Sequence, residues 1–154
     1  MSTRCFVNVN LSGNLISRRS QTGFLIFFNR EPILWHGKRH NELETSTFGS
    51  EMMALKSGVE LVKALRYKLR MFEATIEGAT NIYCDNEEVY KNCSILELTA
   101  RKKHHSIDYH RNREAVTAGT CQITKEDSKT NLSDFFTKIL SNIVREQILD
   151  QFMY

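Results

Sequence analysis

The sequence contains no apolar run approaching the roughly 20 residues that a membrane-spanning helix needs. Nor does it open on a basic head and an apolar leader, because Met1-Ser2-Thr3-Arg4 runs straight into a strand-like stretch. The expectation is an intracellular protein, cytoplasmic or nuclear, that makes no use of a membrane. Cysteine is sparse: Cys5, Cys84, Cys93 and Cys121 show no C-x-x-C spacing, which suggests neither a zinc site nor a disulfide framework and leaves small buried thiols. Charge of one sign is scarce as well, since a formal net charge of +3 does not by itself favour nucleic acid over other partners. No repeat, low-complexity tract or linker interrupts the 154 residues. One domain is therefore expected over 1–154, with its core over about 4–141 and a C-terminal extension over 142–154.

What is present is an ordinary globular composition, 41% apolar and 25% charged, with a recognisable order of elements. Arg4 to Val9 alternates as a first strand, and Gly13-Asn14 supplies turn chemistry after it. Gly23-Phe24-Leu25-Ile26-Phe27-Phe28 turns through Asn29-Arg30-Glu31-Pro32 into Ile33-Leu34-Trp35, predicting a hairpin apolar on both faces. Such a hairpin calls for helical cover on both sides. Thr47 to Phe72 supplies a helix whose stripe is Leu55, Val59, Val62, Leu65, Leu69 and Phe72, broken by Gly78. Thr80-Asn81-Ile82-Tyr83-Cys84 reads as a buried strand, and Asp85-Asn86 as the start of a helix reaching about Tyr90. Arg101-Lys102-Lys103-His104-His105 opens a helical stretch to Ala118, Gly119 ends it, and Thr120 to Thr124 alternates as a last strand. A final helix is expected to start near Asn131. The order is βββαβααβα, an α/β arrangement.

Three acids stand out by position. Glu51 lies one turn before Leu55 and falls on the apolar stripe, an expensive place for a carboxylate. As an ordinary structural residue it would be a first-turn acid satisfying the helix dipole. Asp85 follows a buried strand, where ligands collect in open α/β sheets, and a helix N-cap is the equally simple alternative. Asp134 would be the third helical position if Asn131 caps the last helix, again a place where acids serve the backbone amides. Were all three to meet at one end of a sheet, their repulsion would demand a divalent cation, and oxygen-only ligands point to magnesium or manganese.

Several separate blocks resemble the ribonuclease H domain at the end of copia-type retrotransposon (reverse transcriptase/ribonuclease H) polyproteins. Arg18-Arg19-Ser20-Gln21-Thr22-Gly23 resembles its RRSxTG hairpin, and Glu44 through Leu55 resembles the block carrying its catalytic glutamate. Tyr83-Cys84-Asp85-Asn86 is similar to its CDN block, Lys102-Lys103-His104 through Tyr109-His110-Arg111-Asn112-Arg113-Glu114 to its KH…YHxxRE helix, and Asn131 through Lys138 to its LADxxTK ending. The blocks run in the family's order from about Phe6 to Leu140. The resemblance implies a ribonuclease H-like fold, a mixed five-stranded sheet flanked by helices, and hydrolysis of the RNA strand of RNA/DNA hybrids. It also implies two magnesium or manganese ions held by Glu51, Asp85, Asp134 and an aspartate on the first strand. Further expectations are hybrid contacts from Arg18, Arg19, Asn86, Lys102 and Lys103, and a polymerase region of the same polyprotein as partner.

At the family's first aspartate this chain has Asn8, within Val7-Asn8-Val9-Asn10. An amide oxygen brings no negative charge, and an amide nitrogen does not bind metal. Metal affinity and cleavage are therefore both expected to fall sharply, leaving a weak or inactive nuclease. The rival is a relic domain with only a nucleic-acid-binding or structural role, and a second is an unrelated α/β module whose basic helix binds a protein. Arg66, Lys68, Arg70 and Arg101 could track phosphates or simply line solvated faces. His104, His105, Asp108 and His110 suggest no zinc site, because consecutive histidines point to different helix faces.

Overall fold

The computed structural model describes residues 1–10, 20–39, 46–74, 76–94, 106–127, 130–138 and 141–150. The elements are β1 (Thr3–Asn10), β2 (Gln21–Phe28), β3 (Glu31–Arg39), α1 (Thr47–Met71), β4 (Thr80–Cys84), α2 (Glu87–Ser94), α3 (Ser106–Thr117) and β5 (Cys121–Lys125). A 3₁₀ helix (Leu132–Phe136) and α4 (Asn142–Leu149) follow. The strands form one sheet in the order β3-β2-β1-β4-β5. β1 pairs antiparallel with β2 and parallel with β4, which in turn pairs parallel with β5. The sheet is mixed, as expected.

Strand alternation sorts the side chains of β1 and β2 between two faces. Cys5, Val7 and Val9 from β1, with Phe24 and Ile26 from β2, face α1 and join Met52, Leu55, Val59 and Val62 in the main core. Val89 and Cys93 of α2 and Tyr109 and Ala115 of α3 belong to the same cluster, so three α-helices cover one face. The other face carries Phe6, Leu25 and Phe27, packed by Leu132, Phe135 and Phe136 of the 3₁₀ helix. Both faces thus carry helical cover, three α-helices on one and a 3₁₀ helix on the other. β3 is one of the two edge strands and stays largely open, with Trp35 63% and Ile33 41% exposed.

Two helix ends differ from the expectation. Ser46 caps α1, its Oγ accepting from the Gly49 N–H at 3.1 Å, and this places Glu51 at the fifth helical position rather than in the first turn. At the other end α1 stops at Met71. Glu73 takes the left-handed conformation (φ 57°), the Ala74 N–H donates to the Leu69 carbonyl at 2.9 Å, and Phe72 is turned out to solvent, so it is not part of the buried stripe. The segment from Asn131 is a single 3₁₀ stretch, separate from α4, where one α-helix was expected.

Candidate active site

Parallel pairing sets Phe6 of β1 beside Tyr83 of β4. Two residues further along the chain come Asn8 and Asp85, so both are carried to the same edge of the sheet. Asn8 lies on the face opposite the Val7 and Val9 side chains and is 1% exposed. Asp85 sits in the bend after β4. It does not cap α2: the Asn86 Oδ1 accepts from the Val89 N–H at 3.1 Å and does that work, leaving the Asp85 carboxylate to the site.

Asp134 reaches the same place from the 3₁₀ helix, whose cap is Asn131 as expected. The Asn131 Oδ1 accepts from the Ser133 N–H at 3.1 Å and the Ser133 hydroxyl at 2.6 Å, while its Nδ2 donates to the Val7 carbonyl at 3.1 Å. Asn131 thereby bolts the turn that carries Asp134 to the central strand. The Asn10 Nδ2 donates to the Thr137 carbonyl at 3.0 Å and the Gln21 Nε2 to the Phe136 carbonyl at 2.9 Å, holding the other end of that turn to β1 and β2. Gly23 makes the close approach possible, because a Cβ there would stand 2.7 Å from the Ser133 carbonyl oxygen.

The Asn8 Nδ2 donates to the Asp134 Oδ1, and the Lys138 Nζ donates to the Asp134 Oδ2 at 2.7 Å. Lys138 is one turn on from Asp134, and that spacing was the sequence signal for a partner the motif reading had not assigned. Glu51 is buried at the start of α1, and burial first, then the neighbouring Asp85 charge, pushes its carboxyl up to about 8 against the pull of Lys138. The Asp85 carboxyl is raised too, by burial and then by Asp134, with Lys138 again opposing. The Cys84 thiol is pushed up to about 12 by burial and next by the charge of Glu51. Asn8, Glu51, Asp85 and Asp134 therefore share one electrostatic neighbourhood.

Their arrangement does not fit a bound divalent ion. Asn8 turns a donor, not an oxygen, toward Asp134, and Lys138 takes the second carboxylate oxygen. Among the described residues no group of three or more His, Cys, Asp or Glu side chains is placed to hold a metal ion. Asp108 pairs with Lys56 at 3.0 Å instead. Of the cations considered for phosphate contacts, Arg66 is engaged within the fold, its Nη1 donating to the Gly78 carbonyl at 2.9 Å and the Thr80 hydroxyl at 3.2 Å. Arg18, Arg19, Arg101, Lys102 and Lys103 lie outside the described residues, as do His104 and His105.

No family model matches the chain. It is 26% identical over 136 residues to the retrovirus-related Pol polyprotein from transposon TNT 1-94 of Nicotiana tabacum, a match covering 88% of this chain and 10% of that protein. It is 22% identical over 143 residues to the corresponding polyprotein from transposon RE2 of Arabidopsis thaliana, covering 93% of this chain and 10% of that protein. The chain thus spans about a tenth of the length of the curated relatives it matches. In structure it is similar to RNase H1 from the archaeon Halobacterium salinarum, with a TM-score of 0.67, 14% identity and coverage of 97% of this chain and 98% of that one. LC11-RNase H1 in complex with an RNA/DNA hybrid aligns at a TM-score of 0.63 and 10% identity over 88% of this chain and 94% of that one. The protease-reverse transcriptase of prototype foamy virus aligns at 0.54 and 11% identity, over 99% of this chain and 20% of that one.

Proposed function

We propose, from the premise of a ribonuclease H-like domain related to the Pol polyproteins of plant transposons, that this chain recognises RNA/DNA hybrid and has lost most or all of its ancestral capacity to hydrolyse the RNA strand. The observation that carries the reading is Asn8, buried on β1 with its carboxamide directed at Asp134. Hydrolysis by this fold, as the sequence resemblance has it, rests on carboxylates that hold divalent ions, magnesium or manganese. Here the central position lacks the charge. Support for hybrid as the ligand comes from the structural likeness to an RNase H1 bound to RNA/DNA hybrid. The likeness to a protease-reverse transcriptase, and relatives about ten times as long as this chain, support a polymerase region of the same polyprotein as the neighbouring partner. Arg18, Arg19, Asn86, Lys102 and Lys103 are assigned to the hybrid, with Asn86 also capping α2.

The test is hybrid cleavage in magnesium by the natural chain and by Asn8→Asp. The natural chain should cleave at least about 100-fold more slowly than the variant, in keeping with the loss of a metal ligand's charge. Cleavage by the natural chain at the variant's rate would overturn the reading. Asn8 also favours a second reading, a domain with a structural role alone. Affinity for hybrid that falls steeply with salt separates the two, since phosphate contacts release counterions and a purely structural domain makes none.

A further inference from the structure

We infer that Asn8 and Lys138 take the place of a divalent cation at Asp134, so that this acidic centre is closed by the protein's own donors and is held together without metal. The inference rests on the reading of the chain as a ribonuclease H-like domain and concerns what holds that domain's acidic centre together.

Asp134 is mostly buried, its side chain 12% exposed, and a buried carboxylate needs both oxygens satisfied. The Asn8 Nδ2 donates to Oδ1 and the Lys138 Nζ donates to Oδ2 at 2.7 Å. The orientation of the amide follows from its other end. The Asn8 Oδ1 accepts from the Val9 backbone N–H at 2.8 Å, so the nitrogen is the atom left to face Asp134, and a flip would set two oxygens together and two N–H groups together. Lys138 supplies the positive charge that Asp134, Asp85 and Glu51 all feel.

An ion at Asp134 would have to displace Lys138 and turn Asn8 away from both of its partners. Asp134 itself cannot shift to meet an ion elsewhere, because Asn131, Asn10 and Gln21 tie the turn that carries it to the Val7 carbonyl and to β1 and β2. An aspartate at residue 8 would reverse the balance. It would bring a carboxylate against the Asp134 carboxylate in a buried setting, and the pair would then need a cation between them.

The experiment uses the full chain, with manganese as a paramagnetic probe and magnesium or chelator in thermal melts. In the natural protein, manganese up to millimolar concentration is expected to broaden no amide of Asn8, Asp85 or Asp134 selectively. Its melting temperature should agree within about 1 °C between magnesium and chelator. Asn8→Asp should melt about 5 °C or more lower in chelator, regain that loss in magnesium and show selective manganese broadening at Asp134. Selective broadening in the natural protein with an apparent Kd below about 1 mM, or a magnesium shift equal to that of the variant, overturns the inference. If Asn8→Asp does not fold, the titration of the natural protein decides alone. Hybrid affinity measured in chelator on the same sample keeps the two readings apart. A chain that takes no metal and binds no hybrid loses the functional reading and keeps the metal-free closure, whereas one that takes manganese and binds hybrid does the reverse.

Discussion

Glu51 pairs a carboxyl group with a place that disfavours its charge. It is 6% exposed at the fifth position of α1, and its pKa is raised from 4.5 to about 8, first by burial and then by Asp85. A carboxyl raised on folding binds its proton more tightly in the native state than in the unfolded one. Between about 4.5 and 8 the native state therefore holds the extra proton, and stability falls as pH rises through that window. Asp85 is shifted in the same direction, by burial first and then by Asp134. The decline from Glu51 has a ceiling of about 1.4 kcal/mol per pH unit. Urea unfolding at several pH values across that window should show it, and Glu51→Gln should flatten it; an unchanged slope in the variant would remove Glu51 as the cause. Position on the apolar stripe already marked Glu51 as costly in the sequence. Which of Asp85 and Asn86 caps α2 was not legible, because adjacent residues of the same shape both suit a helix start, and only the path of the chain directs the Asn86 oxygen to the Val89 N–H.

The element that assembles the site is the 3₁₀ helix. Its cap at Asn131 could be read from the sequence, since an asparagine before Leu132-Ser133-Asp134 suits the start of any helix. The separation of this turn from α4 could not, because cap chemistry marks a beginning and says nothing of how many turns follow. The helix seats itself on β2 only because Gly23 has no side chain: a Cβ would stand 2.7 Å from the Ser133 carbonyl oxygen and 2.9 Å from the Phe136 Cβ. Backbone cannot yield as the tip of a side chain can. Gly23→Ala is therefore expected to lower stability by about 1–3 kcal/mol, with amide protection lost chiefly over Ser133 to Thr137, as hydrogen exchange would show. Loss of protection spread evenly over the sheet would contradict this placement. β3 shows the opposite limit of pattern reading. Ile33, Leu34 and Trp35 look like core in sequence, yet an edge strand has one neighbour and a thin layer above it, and Trp35 stays open.

In the molecule as a whole, the central strands β1 and β4 tie the two halves of the sheet together, one pairing back to the β2–β3 hairpin and the other forward to β5. Ile82, fully buried on β4, packs in the cluster that also contains residues of β1, α1, α2, α3 and β5. Ile82→Ala should cost about 2–5 kcal/mol, read as a lower denaturant midpoint with the slope unchanged. A second, separate transition in that variant would show that the cluster does not unfold together.

The order of elements up to β5 was legible in the sequence alone, and the mixed five-stranded sheet followed from the family resemblance that its short motifs carry. Periodicity, caps and short motifs are local properties, and they survive being read one segment at a time. Tertiary structure decided the rest: that Asn86 relieves Asp85 of capping, that three α-helices crowd one face while a 3₁₀ helix serves the other, and that Lys138 joins the acids. It also decided how Asn8 is used. A sequence shows an amide where a carboxylate was expected, and so shows a loss of charge. Whether the amide points an oxygen or a nitrogen at Asp134 depends on the Val9 N–H and on a turn 126 residues away, contacts that exist only once the chain has folded.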